Sequence, residues 1–188
     1  MTTVKNNQKN QAMYNVEHLL QKMSEQLTTI IKEKHNEAPV MVGIHTAGVW
    51  IAQALHKSLK IEEPLGELNI NFYRDDFSQI GLHPQIQPSN IPFNVENKHI
   101  ILVDDVLYTG RTIRAAMNEL FDFGRPASIT LVVLIDRGNR ELPIEAQVVG
   151  FKHEMDADSY FKLSNNSKSS SNGNEDNLEL EIIDREQN

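Results

Sequence analysis

The 188-residue chain contains no cysteine, which excludes disulfides, thiolate metal sites and cysteine nucleophiles and fits a reducing compartment. It also lacks any apolar run approaching the roughly 20 residues needed to cross a bilayer. Its first residues, MTTVKNNQKNQAMYN, have no apolar stretch of signal-peptide type. A cytoplasmic protein without membrane contact is expected. Excess positive charge is missing too. The formal net charge is -8 at pH 7, which argues against a broadly basic surface that would bind nucleic acid by neutralising phosphates. The histidines His45, His83 and His99 show no metal-ligand spacing and are read as structural or solvated, with His83 set apart by its place in a long loop. No internal repeat is present.

What the chain does have is an alternation of apolar patterns. Ala12, Val16, Leu19, Leu20, Met23, Leu27, Ile30 and Ile31 recur at spacings of three and four, one face of a long helix. Val40 to Ile44 reads as a short strand leading through GIHTAG into a helix that runs to Leu59. Leu68, Ile70 and Phe72 alternate with polar residues as in a strand with one polar face. From Phe77 to Asn97 the chain carries Gly81, Pro84, Pro88 and Pro92, a connection long enough to be a functional lid. Ile100 to Val103 forms an apolar strand expected to stop at Asp104 and Asp105. A turn and a helix with Ile113, Ala116, Met117 and Leu120 inward come next, and Gly124 and Pro126 end it. Ile129 to Ile135 is apolar throughout, like a parallel strand buried on both faces, and Val148 and Val149 suggest another. Strands alternating with helices predict an α/β fold with a mostly parallel sheet.

Three segments are expected: a flexible N-terminus over 1–11, one domain over 12–163, and an acidic tail without fixed structure over 164–188. The tail reading rests on the low-complexity stretch NNSKSSSNGN and the acidic residues after it, which offer little apolar surface to offset ordering entropy. The alternation of Leu178, Leu180 and Ile182 leaves a short strand or docking segment as the alternative.

Ligands in open α/β sheets bind beyond the carboxyl ends of the strands, so function is expected in the loops near 44–48, 74–97, 104–112 and 136–142. The most informative is ILVDDVLYTGRT, residues 101–112. A buried strand delivers Asp104 and Asp105, then Thr109, Gly110, Arg111 and Thr112 open a helix. Gly110 permits close backbone approach, and the N–H groups and dipole of the new helix favour an anion. Thr109 and Thr112 add hydroxyls and Arg111 adds charge, while the two carboxylates suit the vicinal hydroxyls of a ribose. The bland reading is a helix cap beside two solvated aspartates.

That string resembles the signature by which type I phosphoribosyltransferases bind 5-phosphoribosyl 1-pyrophosphate (PRPP): four apolar residues, two acids, then Thr-Gly-x-Thr. With YRDD at 73–76, GRP at 124–126 and DRGNRELP at 136–143, the chain resembles the PyrR family, described as pyrimidine operon attenuators and uracil phosphoribosyltransferases. The similarity runs from about Val40 to Val149 and on to Leu163. It implies the type I phosphoribosyltransferase fold, a central mostly parallel sheet flanked by helices, with a small hood and a flexible lid loop. It also implies uracil and PRPP as substrates, UMP and diphosphate as products, Mg²⁺ held mainly through PRPP without dedicated protein ligands, and a homo-oligomer, dimer or tetramer.

Carried onto this chain, the resemblance assigns the ribose hydroxyls to Asp104 and Asp105, and the 5-phosphate to the loop of Val106, Leu107, Tyr108, Thr109, Gly110, Arg111 and Thr112. Thr46 and Ala47 fall in the pyrophosphate loop. Many members have an arginine where this chain has Ala47, which implies weaker activity and leaves Arg74 as the cation for pyrophosphate. Asp136 and Arg137 fall at the base pocket, with Phe161 over the base. An alternative is an RNA-binding attenuator or a nucleotide sensor with little turnover. For RNA the sequence offers few cations: Lys22 alone between Ala12 and Ile31, and a small patch of Arg137, Arg140 and Lys152. A phosphoribosyltransferase for another base is a further reading, since the phosphate cradle is silent about the ring.

Overall fold

The computed structural model describes residues 15–34, 38–70, 88–154, 159–166 and 177–184. The first helix, α1 (Val16–Lys34), begins where the Asn15 side chain accepts the His18 N–H at 3.0 Å, satisfying one of the unpaired donors of the first turn. Its buried face carries Val16, Leu19, Met23 and Leu27, as the spacing requires; Ala12 lies outside the described residues. Pro39 precedes β1 (Val40–Ile44), which leads directly into α2 (Ala47–Leu59). The remaining elements are β2 (Gly66–Leu68), β3 (His99–Leu107), α3 (Arg111–Asp122), β4 (Ser128–Asp136), β5 (Val148–Lys152), β6 (Ser159–Asn165) and β7 (Leu178–Asp184).

The five strands β1–β5 pair in parallel in the order β2-β1-β3-β4-β5. Successive side chains on a strand face opposite ways, so β3 sends Ile101 and Val103 to a core shared with α1 and α2, and Ile100 and Leu102 to a second core under α3. β4 divides likewise, with Val132 and Leu134 on the first side and Leu131 and Val133 on the second. Burial on both faces explains why these strands read as unbroken apolar runs. Among the described residues no helix is long and apolar enough to cross a membrane.

Three features depart from the sequence reading. β3 does not stop at the carboxylates: it continues to Leu107, because β4 pairs with it as far as Asp136. The strand expected through Leu68, Ile70 and Phe72 is β2, ending at Leu68, while Phe72 lies outside the described residues. Most of the expected lid, including His83, also lies outside them.

The third correction concerns the tail. Leu178–Asp184 is not part of an unstructured tail but forms β7, antiparallel to β6, in a separate two-stranded sheet beside the main one. The register sets Leu163 opposite Leu180 and Phe161 opposite Ile182, so the alternating apolar residues share a face. Leu178 and Leu180 then pack against the α1 core. The low-complexity composition had hidden a strand that needs its partner and the α1 face to bury its side chains. Removing residues 177–188 is therefore expected to lower stability by about 2–4 kcal/mol, the cost of re-exposing two half-buried leucines and their neighbours. Urea unfolding of the shortened and full chains reads this as a lower midpoint, and an unchanged midpoint would contradict it.

Candidate active site at the carboxyl ends of β1, β3 and β4

The chain reverses direction across the sheet between β1 and β3: β2 lies on one side of that pair and β4 and β5 on the other. In a doubly wound sheet this switch point opens a crevice beyond the strand ends. The crevice is bounded by the β1–α2 turn, with His45, Thr46 and Ala47, and by the β3–α3 segment from Asp104 to Thr112.

The two loops are in contact. A side chain added at Gly48 would meet the Val103 carbonyl oxygen at 2.7 Å and the Asp104 Cα at 3.0 Å, so only glycine lets the start of α2 lie against β3. Thr46 is the N-cap of α2 without a side-chain cap bond, and Ala47 is the first residue of its first turn. The peptide between His45 and Thr46 is cis. His45 is tied down by a 2.9 Å bond between its Nε2 and the Glu67 carboxylate, and His99 Nδ1 bonds Ser128 Oγ at 2.8 Å. Both histidines are thus hydrogen-bonded within the fold.

Asp104 is buried, 4% exposed, and its Oδ1 accepts the Asp105 N–H at 3.0 Å; Asp105 and Val106 are half-buried. Tyr108, Thr109 and Gly110 form the turn, and Gly110 sits at φ 94° as the N-cap of α3, a left-handed conformation that glycine adopts without steric cost. The Thr109 hydroxyl accepts the Arg111 N–H at 3.3 Å, a local turn that uses one N–H expected to face a ligand. Thr112 is half-buried in the first turn of α3. Arg111 is committed to Glu141, with its Nε at 2.7 Å and a terminal nitrogen at 2.6 Å from Oε2. Both side chains are more than half exposed, so the pair adds little stability.

The β4 end is built differently from the expectation. Arg137, read as a base contact with a surface ion pair as alternative, is buried, 8% exposed. Its guanidinium lies over the Tyr108 ring, 4.3 Å from the centroid, and donates to the Ser159 carbonyl at 3.0 Å. It thus joins the β3–α3 turn to β6. Phe161 is 7% exposed and belongs to the α1 core, edge-on to Phe151 and His153 at ring separations of 5.8 and 5.6 Å. Asp136, Gly138, Arg140, Leu142, Lys152 and Glu154 line a cavity of about 520 Å³ beside this loop. Arg74 lies outside the described residues.

Burial alone would raise the pKa of Asp136. The Gly138 N–H at 2.9 Å, the Arg140 guanidinium and the charge of Lys152 outweigh it and hold the carboxyl below its ordinary 3.8. A folded-state pKa below the unfolded one means stabilisation that is full above the unfolded value and is lost as pH falls through the folded one. The stability gap between the native chain and Asp136→Asn is expected to be constant near neutrality and to narrow below about pH 4. Urea titrations at a series of pH values test this, and a gap that persists unchanged into acid would overturn it.

Sequence reasoning missed Arg140, counted only as part of a basic patch. It lies four residues after Asp136 and contacts that carboxylate, and it bonds four backbone carbonyls across the turn. The signal was Gly138 and Asn139, both at positive φ, which fold the chain back and aim Arg140 at β3.

The phosphoribosyl transferase domain family matches residues 8–162. A protein of Nitrosococcus oceani named bifunctional protein PyrR is 55% identical over 144 residues, which span 76% of this chain and 80% of that protein. A protein of the same name from Pseudomonas aeruginosa is 54% identical over 149 residues, 79% of this chain and 88% of the relative. Among solved structures, a hypoxanthine-guanine phosphoribosyltransferase of Bacillus anthracis shares the fold with a TM-score of 0.59 at 20% identity, covering 74% of this chain and 81% of that one. A hypoxanthine phosphoribosyltransferase of Staphylococcus aureus does so with a TM-score of 0.58 at 22% identity, covering 78% of each chain. With this fold, this crevice and relatives of this identity over most of its length, the chain belongs to the PyrR family of phosphoribosyltransferases.

Proposed function

We propose that the chain transfers the 5-phosphoribosyl group of PRPP to uracil, giving UMP and diphosphate. The observation that carries this reading is the contact of Gly48 with Val103 and Asp104, which brings an anion-binding helix start and a carboxylate pair to one crevice. Asp104 and Asp105 accept hydrogen bonds from the ribose hydroxyls. The segment from Val106 to Thr112 holds the 5-phosphate with backbone N–H groups and the hydroxyls of Thr109 and Thr112. The first turn of α2, from Thr46 and Ala47, receives the pyrophosphate through its N–H groups and helix dipole. Arg74 supplies cationic charge there, and the base lies toward the β4 end at Asp136, with Arg137 holding that end to the β3–α3 turn through the Tyr108 ring.

As the bond from C1 of the ribose to pyrophosphate breaks and the bond to N1 of uracil forms, the N1 proton passes to the released pyrophosphate or to water, negative charge grows on the leaving oxygens, and preorganised donors there stabilise the transition state. Mg²⁺ takes oxygen ligands and is commonly held by substrate phosphates with one or two carboxylates; Asp104 and Asp105 beside the α2 start fit an ion held mainly through PRPP. When bound, that ion neutralises charge on the leaving pyrophosphate. With Ala47 offering no side-chain charge, backbone N–H groups carry more of the pyrophosphate binding.

The test is UMP formation from uracil and PRPP with Mg²⁺. Uracil-dependent consumption of PRPP is expected, and UMP binding without turnover would move the reading to a nucleotide sensor. A dimer or tetramer is expected by light scattering on the eluting protein. RNA binding is the weaker second reading. The relatives are named bifunctional, but three of the four cations expected to serve RNA are engaged within the fold, Arg137 and Arg140 with backbone carbonyls and Lys22 with the Gly150 carbonyl at 3.3 Å, while Lys152 is exposed.

A further inference from the structure

The β4–β5 connection is bound to the β3–α3 turn along three consecutive carbonyls. The Leu107 oxygen accepts the Arg137 N–H at 2.9 Å and Arg140 Nη1 at 3.4 Å. The Tyr108 oxygen accepts Arg140 Nη1 at 2.7 Å, and the Thr109 oxygen accepts the N–H groups of Glu141 and Leu142 at 3.0 and 3.1 Å. In a trans peptide the C=O and the following N–H point in opposite directions. Drawing these three carbonyls toward the connection therefore turns the N–H groups of Tyr108, Thr109 and Gly110 away from it, as a concave anion-binding surface requires.

Arg140 is the side chain that takes part in this alignment, through the Leu107 and Tyr108 carbonyls. Its Nε donates to the Ile144 carbonyl at 3.0 Å, its Nη1 also to the Gly138 carbonyl at 2.9 Å, and its Nη2 to the Asp136 carboxylate. Its side chain is 22% exposed, and the planar fork serves five acceptors on three sides, a pattern that the single ammonium of lysine does not reproduce. We infer that Arg140 is a positioning residue for the phosphate loop: with Asp136 as its counter-charge, it sets the direction of the loop N–H groups and so the affinity for a 5-phosphate, without touching the ligand. The inference rests on the reading of residues 106–112 as the 5-phosphate site.

The test compares the affinity of the full chain for UMP and for uridine, which differ only in the 5-phosphate. Two variants are used. Arg140→Lys keeps the charge and loses the fork. Asp136→Asn/Arg140→Gln removes both charges together, so that neither is left buried without a partner. The UMP-to-uridine affinity ratio of the native chain is expected to be on the order of 100 or more, and both variants are expected to lower it about tenfold, the effect of one misaligned charge-assisted bond. A loss of general packing would weaken both ligands and leave the ratio in place. A ratio unchanged in either folded variant overturns the role of Arg140, while a native chain that does not prefer UMP to uridine overturns the phosphate-loop reading itself.

Discussion

Asp104→Asn/Asp105→Asn is expected to lower the rate of UMP formation by about 10²- to 10⁴-fold while leaving the chain folded. Two hydrogen bonds to charged acceptors contribute roughly 1.5–3 kcal/mol each, and each 1.4 kcal/mol is a factor of ten in rate. The substitution keeps side-chain size, and the amide oxygen it introduces at the first position can still accept the following backbone N–H, which now bonds Asp104 Oδ1. The fold is thereby retained at a buried position. Steady-state rates at saturating and limiting PRPP check the effect, with thermal unfolding as the control. A double variant within about twofold of the native rate, an energy below that of one hydrogen bond, would remove the carboxylates from the mechanism.

The second large effect is expected from Gly48→Ala. The new methyl group would lie 2.7 Å from the Val103 carbonyl and 3.0 Å from the Asp104 Cα. Both are backbone atoms of a strand paired on each side, so β3 has little room to yield. The start of α2 must move away, and the crevice between the two loops opens with it. Overpacking of this kind costs about 1–3 kcal/mol, and displacing the pyrophosphate turn by a fraction of an ångström is expected to lower kcat/KM for PRPP by about 100-fold. Gly66→Ala is the comparison, because its Cβ would meet only the ends of Ile91, Phe93 and Val42 side chains at 3.1–3.2 Å. That variant is expected to keep its rate and lose some stability. Equal rate losses in the two would show that the effect at Gly48 is not one of loop placement.

The strands and helices were legible because each buries a periodic apolar face: α1 through Val16, Leu19, Met23 and Leu27, and β3 and β4 through unbroken apolar runs. The turn between β3 and α3 was legible for a local reason. A glycine at positive φ between a buried strand and a helix is a local requirement, written into adjacent residues. The β7 strand was not legible, since Leu178 and Leu180 gain burial only against β6 and α1, across a stretch whose composition favours disorder.

The β4 end marks the boundary between the two kinds of information. The sequence was sufficient for the α/β class, the absence of cysteine chemistry, and the grouping of Asp104, Asp105 and the Thr-Gly-Arg-Thr turn, because these depend on residue type and near-neighbour spacing. Whether Arg137 and Arg140 would face a ligand or the protein could not be read there, because an arginine's partners are chosen by whichever carbonyls and rings the folded chain brings within reach. Here those are the Tyr108 ring and the Ser159 carbonyl for Arg137, and the carbonyls of Leu107 and Tyr108 with the Asp136 carboxylate for Arg140. All lie on other elements or across a turn, and it is the parallel pairing of β3 with β4 that brings the Leu107 and Tyr108 groups to the β4 end.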